Sequence, residues 1–355
     1  MRTVFFGFLV GCLVLVFYLL IGELGGGTGE ALYDSTGALE QVLYYIRGMV
    51  IIGIVFLCIN IERDVTFDTF ISCALISSLL ILQSTTFEFF NFPGSLFDLV
   101  PQSLTERQYS GFTGFFNNPN YWAIFLLLNS FLCISGLIKK NNNAKTVLLL
   151  LSLTISVSGI LATGSRMGIV GFLISCFFVS KLRSKKLLST FLIFIFFLSL
   201  LIVFNKDFFL SLDFTVLEKS FSRFERVFNN VSEENRFQRA GYYLETLFSS
   251  PQSYFVGLGL SAVVGEGPPH NTIISIFRDF GLILPISGFS LAGILVFKQL
   301  KNNALCRHEA VLSKMTLISI PIILMTNDIF DSRPFWIMLG LVVSFLSLKK
   351  RKVNG

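Results

Sequence analysis

Hydrophobic positions in this chain do not alternate with polar ones at the period of a surface helix or strand; they fill whole stretches. Ten apolar runs stand out, at 3–22, 42–60, 66–83, 120–138, 146–163, 167–180, 187–205, 271–297, 313–327 and 334–348. A hydrocarbon layer about 30 Å thick is crossed by about 20 residues of helix. Backbone that enters lipid must satisfy its own hydrogen bonds, which leaves the helix as the element for isolated runs of this length. The pattern predicts an all-α, polytopic membrane protein of about ten transmembrane helices, built as one integral membrane domain over 1–355. The first run, Val4 to Ile21, is long for a signal peptide, and no A-x-A-like site follows it. It is read as an uncleaved first helix.

The polar stretches between the runs then set the topology. With the N-terminus inside, the inner segments carry seventeen lysines and arginines, including Lys139, Lys140 and Lys145, then Lys181 to Lys186, and Lys349 to Lys352. The outer segments carry three once the longest of them is set aside. Basic residues collect on the cytoplasmic side, so both termini are expected there. The longest polar stretch, 206–270, lies between the seventh and eighth runs and falls outside, as one long outer loop. The outer connection Glu23 to Gln41 reads as a solvated linker. The next, Ser84 to Pro119, is rich in aromatic residues, which either lie at the headgroup level, the more ordinary reading, or line a groove for a sugar or a lipid.

Composition sharpens this picture without changing it. Of 355 residues, 53% are hydrophobic and only 14% charged, with a mean hydropathy of +0.72, against about 25% charged in soluble domains. The net charge of +6 is no nucleic-acid signal, because the basic residues sit in the inner connections. The six cysteines avoid the outer segments, so no disulfide framework is expected. The two histidines, His270 and His308, form no metal-ligand spacing with them.

Candidate chemistry lies at the outer ends of the runs. Asn117-Asn118-Pro119-Asn120 opens the fourth run, with Asn118 as a cap and Pro119 at the first helical position; capping does not explain all three asparagines. Arg166 lies 15 residues before Lys181, or about 22 Å of helix, which puts it near the outer interface. An arginine there pairs with an anion, snorkels, or joins an internal ion pair. In the long loop, Leu217, Phe221, Phe224 and Phe228 make a surface-lying amphipathic helix. After it Arg236, Arg239 and Tyr243 share one helical face. Two arginines three apart can clamp a diphosphate with forked donors, although the pattern alone favours pairing with Glu233 and Glu234. Asn271 is a natural cap for the eighth run, and the positive helix end beside it favours a neutral, proton-accepting His270. A lone histidine at a helix start is more often structural. The eighth run is also long and carries Arg278 and Asp279. Arg47, Asn327, Asp328, Asp331 and Arg333 are further outer polar positions that complete a site or pair with one another.

Taken together, four of these stretches resemble the O-antigen ligase and polymerase family of bacterial envelope enzymes. They are Gly114-Phe115-Phe116-Asn117-Asn118-Pro119-Asn120-Tyr121, Gly164-Ser165-Arg166-Met167-Gly168, Arg236 followed by Pro251 and Gly257-x-Gly259, and Pro269-His270-Asn271 with nine residues before Gly281. The resemblance covers residues 110 to 285. The spacing to Pro251 favours Arg236 over Arg239 as the loop arginine. The chain departs from the family at Ala240 and Tyr242-Tyr243, where a tryptophan is common, and at Leu284, where a second glycine is. The resemblance implies a GT-C-like membrane glycosyltransferase of the bacterial inner (plasma) membrane. It implies an undecaprenyl diphosphate-linked glycan as donor, an inverting and metal-independent reaction, and no cofactor. His270 would be the general base; Arg166, Arg236 and Arg239 would hold the diphosphate; Asn120 and Asn271 would support them. The acceptor is lipid A core for a ligase, toward which Pro269-His270-Asn271-Thr272-Ile273 leans, or a lipid-linked repeat unit for a polymerase. No nucleic acid is implied. A transporter or flippase of lipid-linked sugar would use embedded arginines too, but needs neither the histidine nor the long loop.

Overall fold

In a computed structural model the described residues are 35–90, 118–139, 142–163, 165–180, 235–259, 271–300, 305–326 and 332–347, and they contain helices and no strand. Helices α1 (Ser35–Ile61), α2 (Arg63–Phe90), α3 (Pro119–Ile138), α4 (Asn143–Ala162) and α5 (Arg166–Ser180) come first. Then follow α6 (Asn235–Phe248), α7 (Pro251–Val256), α8 (Thr272–Phe280), α9 (Ile283–Leu300), α10 (Arg307–Thr326) and α11 (Arg333–Ser347). Among the described residues, four segments are long and apolar enough to cross a membrane: Gln41–Ile61, Pro119–Ile138, Asn143–Leu161 and Arg307–Met325. By this measure the described residues are those of a helical membrane protein. Arg166–Phe177 and Arg333–Leu346 are shorter apolar helices.

Among the described residues several boundaries differ from the hydrophobic pattern, including that of α10, which starts at Arg307 rather than at 313. Ser35 to Gln41, expected in a connector, is the first part of α1, and Gln41 is buried. Residues 84–90, expected in the second outer loop, continue α2. The eighth run is not one helix of 27 residues. It breaks into α8 and α9 at Gly281-Leu282, where Gly281 takes φ 67 and ψ −158. That backbone conformation is open to glycine and ends the helix. Pro285, in the first turn of α9, loses no hydrogen bond there. The expected runs 3–22 and 187–205, the surface helix over 217–228 and the aromatic loop over 91–117 lie outside the described residues.

The chain divides into two compact units. One contains α1, α6 to α9, α11 and α10 from Ile320 onward; the other contains α2 from Asp64, α3, α4, α5 and α10 up to Ser319.

In the first unit α1 lies along α11. Small residues set that distance. A Cβ on Gly48 would run into the indole of Trp336, and one on Gly340 would meet Val55 Cβ at 3.0 Å. Without a water-driven hydrophobic effect between lipid-immersed helices, close backbone approach of this kind supplies the packing. Tyr45, on the same face of α1, packs edge-on against Trp336 and tilts against Phe280.

In the second unit α3 is the central helix and its middle is buried on all sides. Leu126 fits over Gly159 of α4, and Ala123 over Gly168 of α5. A polar knot sits halfway along. Asn129 Nδ2 donates to Ser156 Oγ at 2.8 Å and to Ser78 Oγ at 3.2 Å, while Ser77 Oγ donates to Asn129 Oδ1 at 2.8 Å. This one asparagine links α2, α3 and α4, and its burial is tolerable because its amide is satisfied. At the far end Lys139 pairs with Asp68 at 2.6 Å, and Ser135 Oγ donates to the carbonyl of His308 at 2.6 Å.

Candidate functional site

The first two stretches of the family resemblance meet in the second unit. Asn118 caps α3, its side chain accepting from the amide of Asn120 at 2.9 Å, with Pro119 at the first helical position. Thr163 Oγ1 accepts from the amide of Ser165 at 3.1 Å, which shapes the turn between α4 and α5. Ser165 Oγ then donates to Asn120 Oδ1 at 2.9 Å. That bond joins positions 45 residues apart and brings together the N-termini of α3 and α5. Arg166 is the first residue of α5 and is half-buried. Two positive helix ends and a guanidinium therefore collect at one end of this unit, opposite the Lys139–Asp68 end of α3. Such an end is suited to an anion. Asn120 is a structural link as well as a polar group, a role that capping arguments alone did not reveal. Gly114 to Asn117 and Gly164 lie outside the described residues.

The other two stretches meet in the first unit. The helix expected to carry Arg236, Arg239 and Tyr243 is present as α6, where helical spacing sets the three positions on one face. Tyr243 and Leu247 are buried. Nothing is described of the Arg236 and Arg239 side chains. Ser250 caps α7 with Pro251 at its first position. The Gly257-x-Gly259 turn then locks against the break between α8 and α9. The amide of Leu258 donates to the carbonyl of Arg278 at 2.7 Å, and that of Leu282 to the carbonyl of Tyr254 at 3.0 Å. Gly257 and Gly281 both have positive φ, and a Cβ on either would strike the backbone of the other segment. Gly257 and Gly281, from the third and fourth stretches, thus belong to one interlocked corner.

Asn271 caps α8 as expected, accepting from the amides of Ile273 and Ile274 at 3.0 and 3.3 Å. Its Nδ2 donates to the carbonyl of Met325 at 2.9 Å, tying α8 to the end of α10. His270 and the polar positions 327–331 lie outside the described residues. Arg333 is exposed at the start of α11. Arg47, in α1, places its guanidinium 5.0 Å from the centre of the Tyr44 ring.

Sequence reasoning passed over one buried charged cluster. Asp279 is fully buried and Arg278 nearly so; Arg278 Nε donates to Asp279 Oδ1 at 2.6 Å. Gln41 Nε2 donates to Asp279 Oδ2 at 2.5 Å. The guanidinium of Arg278 lies 5.7 Å from the centre of the Tyr243 ring. The acid and the base were visible as two charges in an apolar run. The partner Gln41 was not, because the pattern put it in a connector 238 residues away.

Comparison with protein families, with curated proteins and with solved structures gives no match. The functional reading rests on the residues and their arrangement.

Proposed function

We propose that the chain is a multi-pass glycosyltransferase of the bacterial inner membrane. In this reading it has ten spans, cytoplasmic termini and a periplasmic loop over 206–270. It transfers an undecaprenyl diphosphate-linked glycan to an acceptor sugar hydroxyl, as an O-antigen ligase acting on lipid A core. A polymerase that uses a lipid-linked repeat unit as acceptor is the second reading, since the donor chemistry is shared.

The observation that carries the reading is the pairing of the four motif stretches. Asn120 and Ser165 join the first to the second. The Gly257–Gly281 corner joins the third to the fourth.

The chemistry follows from the residue types. The acceptor hydroxyl oxygen attacks the anomeric carbon while His270 takes its proton as general base. The bond from that carbon to the diphosphate oxygen breaks, and the configuration inverts. Arg166, Arg236 and Arg239 neutralise the charge that builds on the departing undecaprenyl diphosphate. Arginine suits this task because its donors are planar, forked and always charged. Asn120 holds the start of α5, where Arg166 stands, and Asn271 caps α8, which follows His270 in the chain. No metal is required of this set, since guanidinium groups supply the positive charge.

The test is a lipopolysaccharide gel on a deletion strain, with carrier-linked glycans measured in parallel. Bare core with long polymer still on the carrier is the expected result for a ligase. Core bearing a single repeat would identify a polymerase. An unchanged ladder, with no glycan accumulating on the carrier, would refute both. Re-expression of His270→Ala should then fail to restore transfer, with a loss of roughly 10²–10⁴-fold.

A further inference from the structure

The Gln41–Asp279–Arg278 cluster joins α1 to α8 through one carboxylate and reaches α6 through the Arg278 guanidinium. A carboxylate only accepts hydrogen bonds, so both of its partners donate. Oδ2 takes the Gln41 amide of α1, and Oδ1 takes Nε of Arg278 within α8. The same guanidinium reaches over Tyr243 of α6, within cation–π distance. The backbone at this point is also engaged: the carbonyl of Arg278 accepts from Leu258, and the carbonyl of Asp279 lies against Gly257.

Burying such a pair is a poor way to add stability, because apolar side chains of the same size do as well or better. What a buried, hydrogen-bonded pair adds is direction. An apolar contact tolerates sliding and rotation of one helix on another, whereas a short bond from Gln41 to a carboxylate whose other oxygen is held by Arg278 does not. The Gln41–Asp279 bond holds α8, which begins directly after His270-Asn271, to α1, and the Arg278 guanidinium over Tyr243 brings in α6, with positions 236 and 239.

We propose that Gln41, Asp279 and Arg278 form a positioning joint, which sets the register of α8 against α1 and, through the Arg278 guanidinium over Tyr243, against α6. Asp279 is a positioning residue in this scheme and touches no reacting atom. The joint rests on the functional reading above for what is being positioned, and on the Gln41–Asp279–Arg278 bonds and the Arg278–Tyr243 contact for its existence.

The test uses the full-length protein in lipid nanodiscs, with hydrogen exchange read at the amides of Leu258 and Leu282. Two variants are compared with wild type: the apolar replacement Arg278→Met with Asp279→Leu, and the milder Gln41→Leu. The double variant should keep the wild-type melting temperature while both amides exchange roughly tenfold faster or more, since register is lost without unfolding. Its glycan transfer should fall about 10²-fold, as expected for a displaced catalytic group. Asp279→Glu, which keeps both acceptor oxygens, should recover part of that loss. Should the double variant fail to fold, Gln41→Leu decides the matter, because it removes a single donor. Wild-type protection of the two amides in a folded variant would overturn the joint. Faster exchange in a protein whose wild type transfers no glycan would retire the catalytic reading and leave the joint standing.

Discussion

Replacing Gly281 by alanine tests whether the corner between α7, α8 and α9 is a rigid part of the fold. Gly281 sits at φ 67, ψ −158, a region that only glycine enters freely, and a non-glycine residue held there costs about 1–3 kcal/mol. The added methyl would also strike the carbonyl of Phe255, and it would come to 2.6 Å from the amide nitrogen of Gly257. Both are backbone atoms, so no rotamer change relieves the contact and α7 must move away. That movement breaks the Leu258–Arg278 and Leu282–Tyr254 bonds, each worth about 0.5–1.5 kcal/mol net. The total comes to about 2–6 kcal/mol, a large effect for one methyl group. Gly241→Ala is the matched control. A Cβ at Gly241, in α6, meets nothing within 4 Å, so alanine there should stabilise by about 0.5–1 kcal/mol through helix propensity. Reversible unfolding in mixed detergent micelles measures both. If Gly281→Ala is as stable as wild type and no less stable than Gly241→Ala, the corner is not locked as described and the argument from its glycines fails.

Other consequences are smaller or bear on activity. Asn129→Ala removes three interhelical hydrogen bonds at about 0.6 kcal/mol each in membrane proteins. The loss should be about 2 kcal/mol or somewhat more with the cavity, because Ser78 and Ser156 keep their bonds to Ala74 and Ser152 carbonyls; the same unfolding assay checks it. Asn271→Ala should cost about 1 kcal/mol from the lost cap, and faster exchange at the Ile273 and Ile274 amides would locate the loss. Lys139→Met should change stability by less than about 1 kcal/mol, since both members of the Lys139–Asp68 pair are partly exposed, 30% and 47%. Arg166→Lys keeps the charge and loses the forked donors, so it should lower glycan transfer in the complemented deletion strain while expression stays at the wild-type level.

Much of this protein follows from the chain alone. Whole apolar runs specify helices in lipid whatever their neighbours, because backbone polar groups there must be satisfied within the segment. Local chemistry likewise announced Asn118, Pro119 and Asn271 at helix starts, and the helix bearing Arg236 and Arg239, since a cap or a helical face depends on residues within a turn or two. What the chain could not announce depends on residues far apart in it. The apolar run from 271 to 297 reads as continuous, and its break is set by Phe255 and Gly257 pressing on Gly281; Gly281 four residues before Pro285 was the faint local sign. Gln41 looked like part of a solvated linker until Asp279 supplied a partner 238 residues away. Asn120 gained its second role only when Ser165 came within 2.9 Å. Pattern and propensity act over a few residues, whereas a buried polar group is satisfied by whatever the packing brings to it. That pairing is decided by the tertiary structure.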